Sequence, residues 1–153
     1  MRLVVQRVHK ASVQLKETNE TVSSIGSGVA VLWGIDRSDT WEEAEFCINK
    51  LLNTRLFPDD NSKDWKCSVT DLNYEILVIS QFTLLATLKK GKIPDFHHAM
   101  ERTFALDLYT RIVERIKQLY KAEKIKTGFF GNPCNVSIEN NGPCTILIDS
   151  SLR

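Results

Sequence analysis

The chain has 153 residues, of which 20 are basic and 19 acidic, so its formal net charge is +1. This balance gives no global attraction to a polyanion, and any nucleic-acid contact would have to be a local patch. The 42% apolar and 25% charged residues are typical of a globular protein, and the length suits a single domain over residues 1–153.

The first third of the chain has the pattern of β-strands. RLVVQRV (2–8) and ASVQLK (11–16) are predicted strands, separated from GVAVLWGI (28–35) by the polar, turn-like KETNET (16–21). GVAVLWGI is apolar on both faces, which is typical of a buried central strand.

A helical period begins in DTWEEAEFCINKLLNTR (39–55). Its apolar positions recur three and four residues apart; they are Trp41, Ala44, Cys47, Ile48, Leu51 and Leu52. Thr40 with Glu43 matches a capping box, so we expect the helix to begin there. The following FPDDNSKDWK (57–66) is a predicted loop.

YEILVISQFTLLA (74–86) is the most apolar run and is predicted as one core strand. On such a strand Ser80 and Phe82 would face one side, and Gln81 and Thr83 the other. The loop TLKKGKIPDF (87–96) precedes a long predicted helix. Its apolar stripe comprises Ala105, Leu108, Tyr109, Ile112, Val113, Ile116 and Leu119.

Three further strands are predicted at the end of the chain: IKTGFFG (125–131), CNVSIEN (134–140) and CTILIDS (144–150). The order of elements lacks the regular βαβα alternation of a doubly wound fold. We therefore predict one α+β domain with a largely antiparallel or mixed sheet and two main helices.

Nothing in the sequence directs the chain to a membrane. The opening MRLVVQRVHK is interrupted by charged and polar residues, and no apolar run approaches the roughly 20 residues that span a bilayer. The four cysteines form no C-x-x-C pair, so we expect reduced thiols. These features favour a cytoplasmic protein without a membrane contact.

The common catalytic signatures are missing: the sequence has no P-loop, G-x-G-x-x-G, H-E-x-x-H or G-x-S-x-G motif. His97 and His98 are adjacent in a polar segment and cannot easily converge on one metal, so we interpret them as a solvated pair. Cys47 and Cys144 are interpreted as small core residues, because no base or cation is identifiable beside either. We predict neither a metal nor a cofactor.

Two short segments remain. SQFTL (80–84) places polar groups at the end of a core strand, where they could line a pocket or satisfy backbone groups of the exiting loop. NNGP (140–143) precedes a strong β-forming run, and taken alone it is interpreted as an ordinary turn, because Asn and Gly tolerate positive φ and Pro fixes φ. Neither segment alone identifies a function.

Together they resemble the D-aminoacyl-tRNA deacylases, also called D-tyrosyl-tRNA deacylases, whose two signature motifs read S-Q-F-T and N-x-G-P. The similarity runs nearly end to end and includes VQRV near the N-terminus, GVAVLWGI and TGFFG. The chain departs from the family pattern at Ile93, Cys134 and Cys144, and keeps both motifs intact.

The resemblance implies a homodimer of β-barrel-like subunits that binds the aminoacylated 3′ end of tRNA. It implies hydrolysis of the ester to a D-amino acid or to mischarged glycine, with L-aminoacyl-tRNA rejected. One subunit would insert a cis Gly142–Pro143 peptide into the active site of the other. The resemblance implies catalytic-site roles for Ser80, Gln81, Phe82 and Thr83, and roles in substrate binding and chiral selection for Gly142, Pro143, Asn140, Arg7 and Phe130.

In such a site the substrate's ribose 2′-hydroxyl and backbone amides would replace a catalytic triad, because no base is identifiable for Thr83. Two alternatives stay open. One is a module that binds a tRNA end or a nucleotide without turnover. The other is a thiol or threonine hydrolase that uses Cys144 or Thr83 on small esters.

Overall fold

The computed structural model describes residues 1–89 and 91–153. Strand β1 spans Arg2–Leu15 without a break, so the prediction of two separate strands is wrong. The last long strand pairs with β1 along nearly its whole length, with register irregularities on either side of Val8. The exposed His9 and Lys10 therefore remain within a strand although they interrupt its apolar pattern.

A short strand, β2 (Thr21–Ile25), pairs antiparallel with β1. This strand was not predicted because its TVSSI sequence is mostly polar, as suits a strand at the edge of a sheet. Strand β3 (Gly28–Gly34) lies between β1 and β4, which confirms the predicted central strand.

Both main helices form where their periodicity predicts. Helix α1 covers Trp41–Asn53 and begins with the predicted capping box, in which Thr40 N donates to Glu43 Oε2 at 2.8 Å. Helix α2 covers Arg102–Leu119 and is capped by the Glu101 carboxylate. Leu119 is 49% exposed, so its predicted place in the buried stripe is wrong; it is the last residue of the helix.

The predicted strand over 74–86 ends early. Strand β4 covers Glu75–Ser80, and Phe82–Leu85 form a short 3₁₀ helix, so the predicted alternation of side chains beyond Ser80 is wrong. The turn packs directly on Gly34: a Cβ built there would lie 2.6 Å from a methyl carbon of Leu85. Because Gly34 has no side chain, the 3₁₀ helix at Phe82–Leu85 can pack against its backbone.

The end of the chain contains two strands rather than three. Strand β5 is limited to Ile125–Thr127, and β6 runs continuously over Cys134–Asp149. The segments predicted as separate strands both pair with β1, on either side of the Gly-Pro segment. Two further 3₁₀ helices cover Ala122–Lys124 and Ser150–Leu152.

The six strands form one mixed sheet in the order β2-β1-β3-β4-β5, with β6 also on β1. The β3–β4 and β4–β5 pairs are parallel, and the pairs made by β1 are antiparallel. Alternate residues of β3 enter two hydrophobic clusters: Val31 packs beneath the helices, and Ala30 packs in a second cluster with Val8 and Val13 of β1. This nearly closed, barrel-like α+β architecture with two main helices confirms the predicted fold class.

Within residues 1–89 and 91–153, no helix is long and apolar enough to cross a membrane.

Candidate functional site

A cavity of about 330 Å³ opens at the end of β4. Its walls include Trp33 at the end of β3, Ser80 and Gln81 at the end of β4, and Phe82 in the following turn. Parallel pairing sets Ser80 beside Trp33, and Gln81 N donates to Trp33 O at 2.9 Å. Polar groups of the S-Q-F-T segment thus border a cavity whose walls are mostly apolar.

The Thr83 hydroxyl is held by the neighbouring amide. Gln81 Nε2 donates to Thr83 Oγ1 at 2.5 Å, and Thr83 is exposed. Gln81 is its only recorded side-chain partner in the part of the chain that the structure describes. A hydroxyl without a basic partner is a poor nucleophile.

Aromatic rings form two sides of the cavity. Phe82 is 57% exposed and meets Phe96 edge-on, with ring centroids 5.1 Å apart. Phe130 packs on Tyr109 at 5.3 Å. The Tyr109 hydroxyl donates to Val78 O at 3.0 Å, and burial raises the pKa of this phenol. Phe130 therefore rests on a buried, neutral support, while Phe82 offers a ring face to solvent.

The Gly142–Pro143 peptide bond is cis, and both residues are exposed. Gly142 has a φ of +132°, and a Cβ there would lie 3.0 Å from the Arg7 guanidinium, so both conformation and space favour glycine. Arg7 Nε donates to Asn141 O at 3.0 Å. Its NH1 group donates to Leu56 O at 2.7 Å.

The Asn140 side chain makes hydrogen bonds across the Gly142–Pro143 segment. Its Oδ1 accepts from Cys144 N at 2.8 Å, and its Nδ2 donates to Thr145 Oγ1 at 2.9 Å. Asn140 and Arg7 together hold the exposed Gly-Pro peptide between two arms of β6. We call residues 140–143 the Gly-Pro loop.

The structure does not bring the Gly-Pro loop and the cavity together within one chain. Neither Gly142 nor Pro143 lines the cavity. Arg7, beside the loop, pairs with Val29, whereas Ser80 pairs with Trp33 four positions further along β3. The predicted site residues therefore form two groups: Ser80, Gln81, Phe82 and Phe130 at the cavity, and Arg7, Asn140, Gly142 and Pro143 at the loop, while Thr83 lies in the turn beside the cavity.

The remaining polar candidates lie outside both groups. His97 is exposed and contacts Asp95, and His98 Nδ1 is 3.9 Å from Asp36. Cys47 is fully buried, and burial raises the pKa of its thiol to about 12, so it is not a nucleophile. Over residues 1–89 and 91–153, no three His, Cys, Asp or Glu side chains form a group that could hold a metal.

Sequence reasoning missed Arg102, which also lines the cavity. A signal was available: Arg102 is the first residue of α2, where a cation opposes the helix dipole. Trp33 and Met100 were missed as well because apolar residues in a strand and a loop carry no functional pattern.

A family model for D-Tyr-tRNA(Tyr) deacylase matches residues 4–149. The chain belongs to this family. A D-aminoacyl-tRNA deacylase of Plasmodium falciparum is 45% identical over 98% of this chain and 96% of its own length. A D-aminoacyl-tRNA deacylase of Aquifex aeolicus is also 45% identical, over 98% of both chains.

Two solved structures have the same fold as this deacylase-family chain. A c-Myc DNA unwinding element binding protein superposes with a TM-score of 0.93 at 45% identity, covering 97% of this chain and 98% of that one. A probable eukaryotic D-amino acid tRNA deacylase superposes with a TM-score of 0.81 at 20% identity, covering 96% and 97%. The second match concerns the fold alone.

Proposed function

We propose that residues 1–153 form one D-aminoacyl-tRNA deacylase domain that acts in the cytoplasm. The enzyme hydrolyses the ester between a D-amino acid, or mischarged glycine, and the 3′ end of tRNA, and it rejects L-aminoacyl-tRNA. Family membership supports the reaction class. Four free thiols fit a reducing compartment.

The observation that carries the proposal is that the cavity and the Gly-Pro loop lie apart within one chain. We call these two parts the half-sites. Ser80, Gln81 and Phe82 line the cavity, whereas the Gly-Pro loop is exposed and held by hydrogen bonds from Arg7 and to Asn140. In a symmetric dimer, each chain can supply the loop to the other's cavity. The active unit in this proposal is therefore a homodimer, with the partner's loop completing each site.

Chiral selection would then rest on backbone rather than on side chains. Carbonyl groups beside Gly142 and Pro143 can accept hydrogen bonds from the substrate's α-ammonium group. A rigid peptide wall leaves no room for a side chain of L configuration, while a D side chain points towards solvent. Such a wall discriminates by exclusion, so a single site accepts D-amino acids with different side chains.

Hydrolysis in this site would need no protein nucleophile. Thr83 lacks a basic partner in the part of the chain that the structure describes, so covalent catalysis by its hydroxyl is disfavoured. The substrate's own 2′-hydroxyl and a water molecule would be positioned by the cavity. Backbone amides at the turn after Ser80 would stabilise the developing oxyanion.

Deacylation of D-Tyr-tRNA and L-Tyr-tRNA, measured side by side, tests the proposal. We expect the wild type to hydrolyse the D substrate at least about 100-fold faster, because steric exclusion of this kind is worth roughly 3 kcal/mol. Pro143→Ala should lose most of this preference, whereas Thr83→Ala should keep it.

Equal wild-type rates on both enantiomers would contradict the proposed selectivity. Binding of the tRNA end without any turnover would indicate a binding module instead. A Thr83→Ala variant that is inactive, with activity insensitive to removal of the tRNA 2′-hydroxyl, would favour a threonine hydrolase.

A further inference from the structure

Arg102 contributes the only charged side chain among the described residues that line the cavity. It takes part in none of the ion pairs recorded between described residues, whereas Arg2, Arg111, Arg115 and Arg153 do. The residue is exposed, so its guanidinium keeps donors available to a ligand. A cation at an apolar cavity mouth attracts anionic groups and repels cationic ones.

The Arg102 guanidinium lies close to the backbone of Gly131. A Cβ built on Gly131 would lie 2.8 to 3.1 Å from three atoms of the Arg102 side chain. Gly131 has a φ of +71°, a conformation that other residues rarely adopt. The guanidinium therefore packs against bare backbone next to Phe130, at the cavity wall.

Helix stability does not account for this arginine. Arg102 is the first residue of α2, where a positive charge opposes the helix dipole. The adjacent Glu101 carboxylate accepts hydrogen bonds from the backbone N–H groups of Thr103 and Phe104. The recorded contacts of the helix N-terminus therefore give Arg102 no stabilising role in the helix.

We propose that Arg102 binds the phosphodiester on the 5′ side of the terminal adenosine. This inference rests on the proposed function, because a tRNA 3′ end brings that phosphate to the mouth of the site. Arginine matches phosphate geometry with paired donors. The same charge repels the substrate's α-ammonium group, so Arg102 also orients the aminoacyl ester away from α2 and towards the S-Q-F-T side of the cavity.

A binding experiment tests the phosphate contact without any catalysis. The probes are adenosine and the methyl ester of adenosine 5′-monophosphate, which carries the single charge of a phosphodiester. We expect the wild type to prefer the phosphodiester by about fivefold, the upper range for an exposed ion pair. Arg102→Gln should abolish this preference and leave adenosine binding unchanged.

The matched control is Arg111→Gln, on the same helix. Arg111 pairs with Asp107 and lies over the Trp41 ring, away from the cavity. This variant should keep the wild-type preference for the phosphodiester. If the wild type does not discriminate between the two probes, or Arg102→Gln weakens both equally, the proposal is wrong.

Kinetics on D-aminoacyl-tRNA give a second readout. Arg102→Gln should raise KM with little change in kcat, and should reduce the slope of log affinity against log salt by about 0.7, the contribution of one phosphate on a single strand. Its thermal midpoint should not fall, because the helix loses an unfavourable charge. A variant with lower kcat and lower stability but unchanged KM and salt slope would indicate a structural role instead.

The two proposals fail in different ways. If the wild type prefers the phosphodiester but hydrolyses no D-aminoacyl-tRNA, the phosphate site stands and the proposed function falls. If it hydrolyses D-aminoacyl-tRNA selectively but does not distinguish the probes, only the role of Arg102 is overturned.

Discussion

Arg7 connects two parts of the molecule through one planar group. Its guanidinium donates to Asn141 O in the Gly-Pro loop and to Leu56 O in the segment that follows α1. The two donors have a fixed separation, so the loop is held at a fixed distance from that segment. An ammonium group has no such geometry.

We expect Arg7→Lys to relax the loop. The variant should reduce the ratio of D- to L-Tyr-tRNA hydrolysis about tenfold and lower the free energy of unfolding by about 1 kcal/mol, since one charge-assisted hydrogen bond is lost. Paired deacylation assays and chemical denaturation measure the two effects. Arg37→Lys is the control, because Arg37 is exposed and its side chain has no recorded hydrogen-bond partner among the described residues. A selectivity ratio as high as that of the wild type would rule out a positioning role for Arg7.

At the scale of elements, α1 depends on the reciprocal contact between Thr40 and Glu43. Hydrogen bonds from the Thr40 hydroxyl and backbone N–H lower the pKa of Glu43 to about 2. A carboxyl with a depressed pKa stabilises the fold above its ordinary value of 4.5, and this contribution is lost as the pH falls towards 2. The cap therefore links α1 to acid stability.

Thr40→Ala should lower the free energy of unfolding by about 1 kcal/mol at neutral pH, the usual cost of a lost cap. The difference from the wild type should shrink as the pH falls from about 4.5 towards 2, because protonated Glu43 no longer accepts these bonds. Urea denaturation across this pH range measures the effect. Glu42→Gln, which changes an exposed carboxylate outside the box, should leave the pH dependence nearly intact. A Thr40→Ala deficit that stays constant down to pH 2 would refute the link.

Sequence patterns predicted helices and strands correctly only where contacts between residues close in sequence determine the structure. The capping box and apolar stripe of α1 lie within the helix itself, and both were predicted correctly. The continuity of β1 and β6 comes from pairing between the two ends of the chain, which a local pattern cannot reveal. The 3₁₀ turn after Ser80 depends on the space above Gly34, on a different strand.

The whole molecule provides the strongest test of the proposed site, because the two half-sites lie apart in each chain. We expect a mixture of Pro143→Ala and Gln81→Ala chains, refolded together, to recover D-selective hydrolysis that neither variant shows alone. In each mixed dimer, the wild-type loop of one chain meets the wild-type cavity of the other, so about one quarter of all sites are intact.

Each variant refolded by itself is the control, since it contains no intact site. If the loop served its own chain, every site in the mixture would carry one defect. The mixture would then be no more active than the average of the two variants. Sedimentation of the same samples would check that dimers form.

The parts of the site differ in how far sequence alone could predict them. The S-Q-F-T segment and the Gly-Pro loop stand out as motifs, and Arg7 donates a hydrogen bond to Asn141 O in the loop. Arg102 belongs to no motif, and it lies beside Gly131 of another segment at the cavity. Local sequence thus identifies the motifs, but the packing of separate segments decides which other side chains reach the cavity.

The regular pairing of β6 with β1 over Thr145–Asp149 also restricts the length of the chain there. Ile138 before the Gly-Pro loop and Cys144 and Ile148 after it all pack inward, while Leu147 is exposed. Because side chains alternate along a strand, adding or removing one residue between Thr145 and Leu147 would turn Leu147 inward and expose Ile148. Side chains on the exposed face of this segment can therefore be exchanged, but a deletion or insertion of a single residue would cost the fold part of its core.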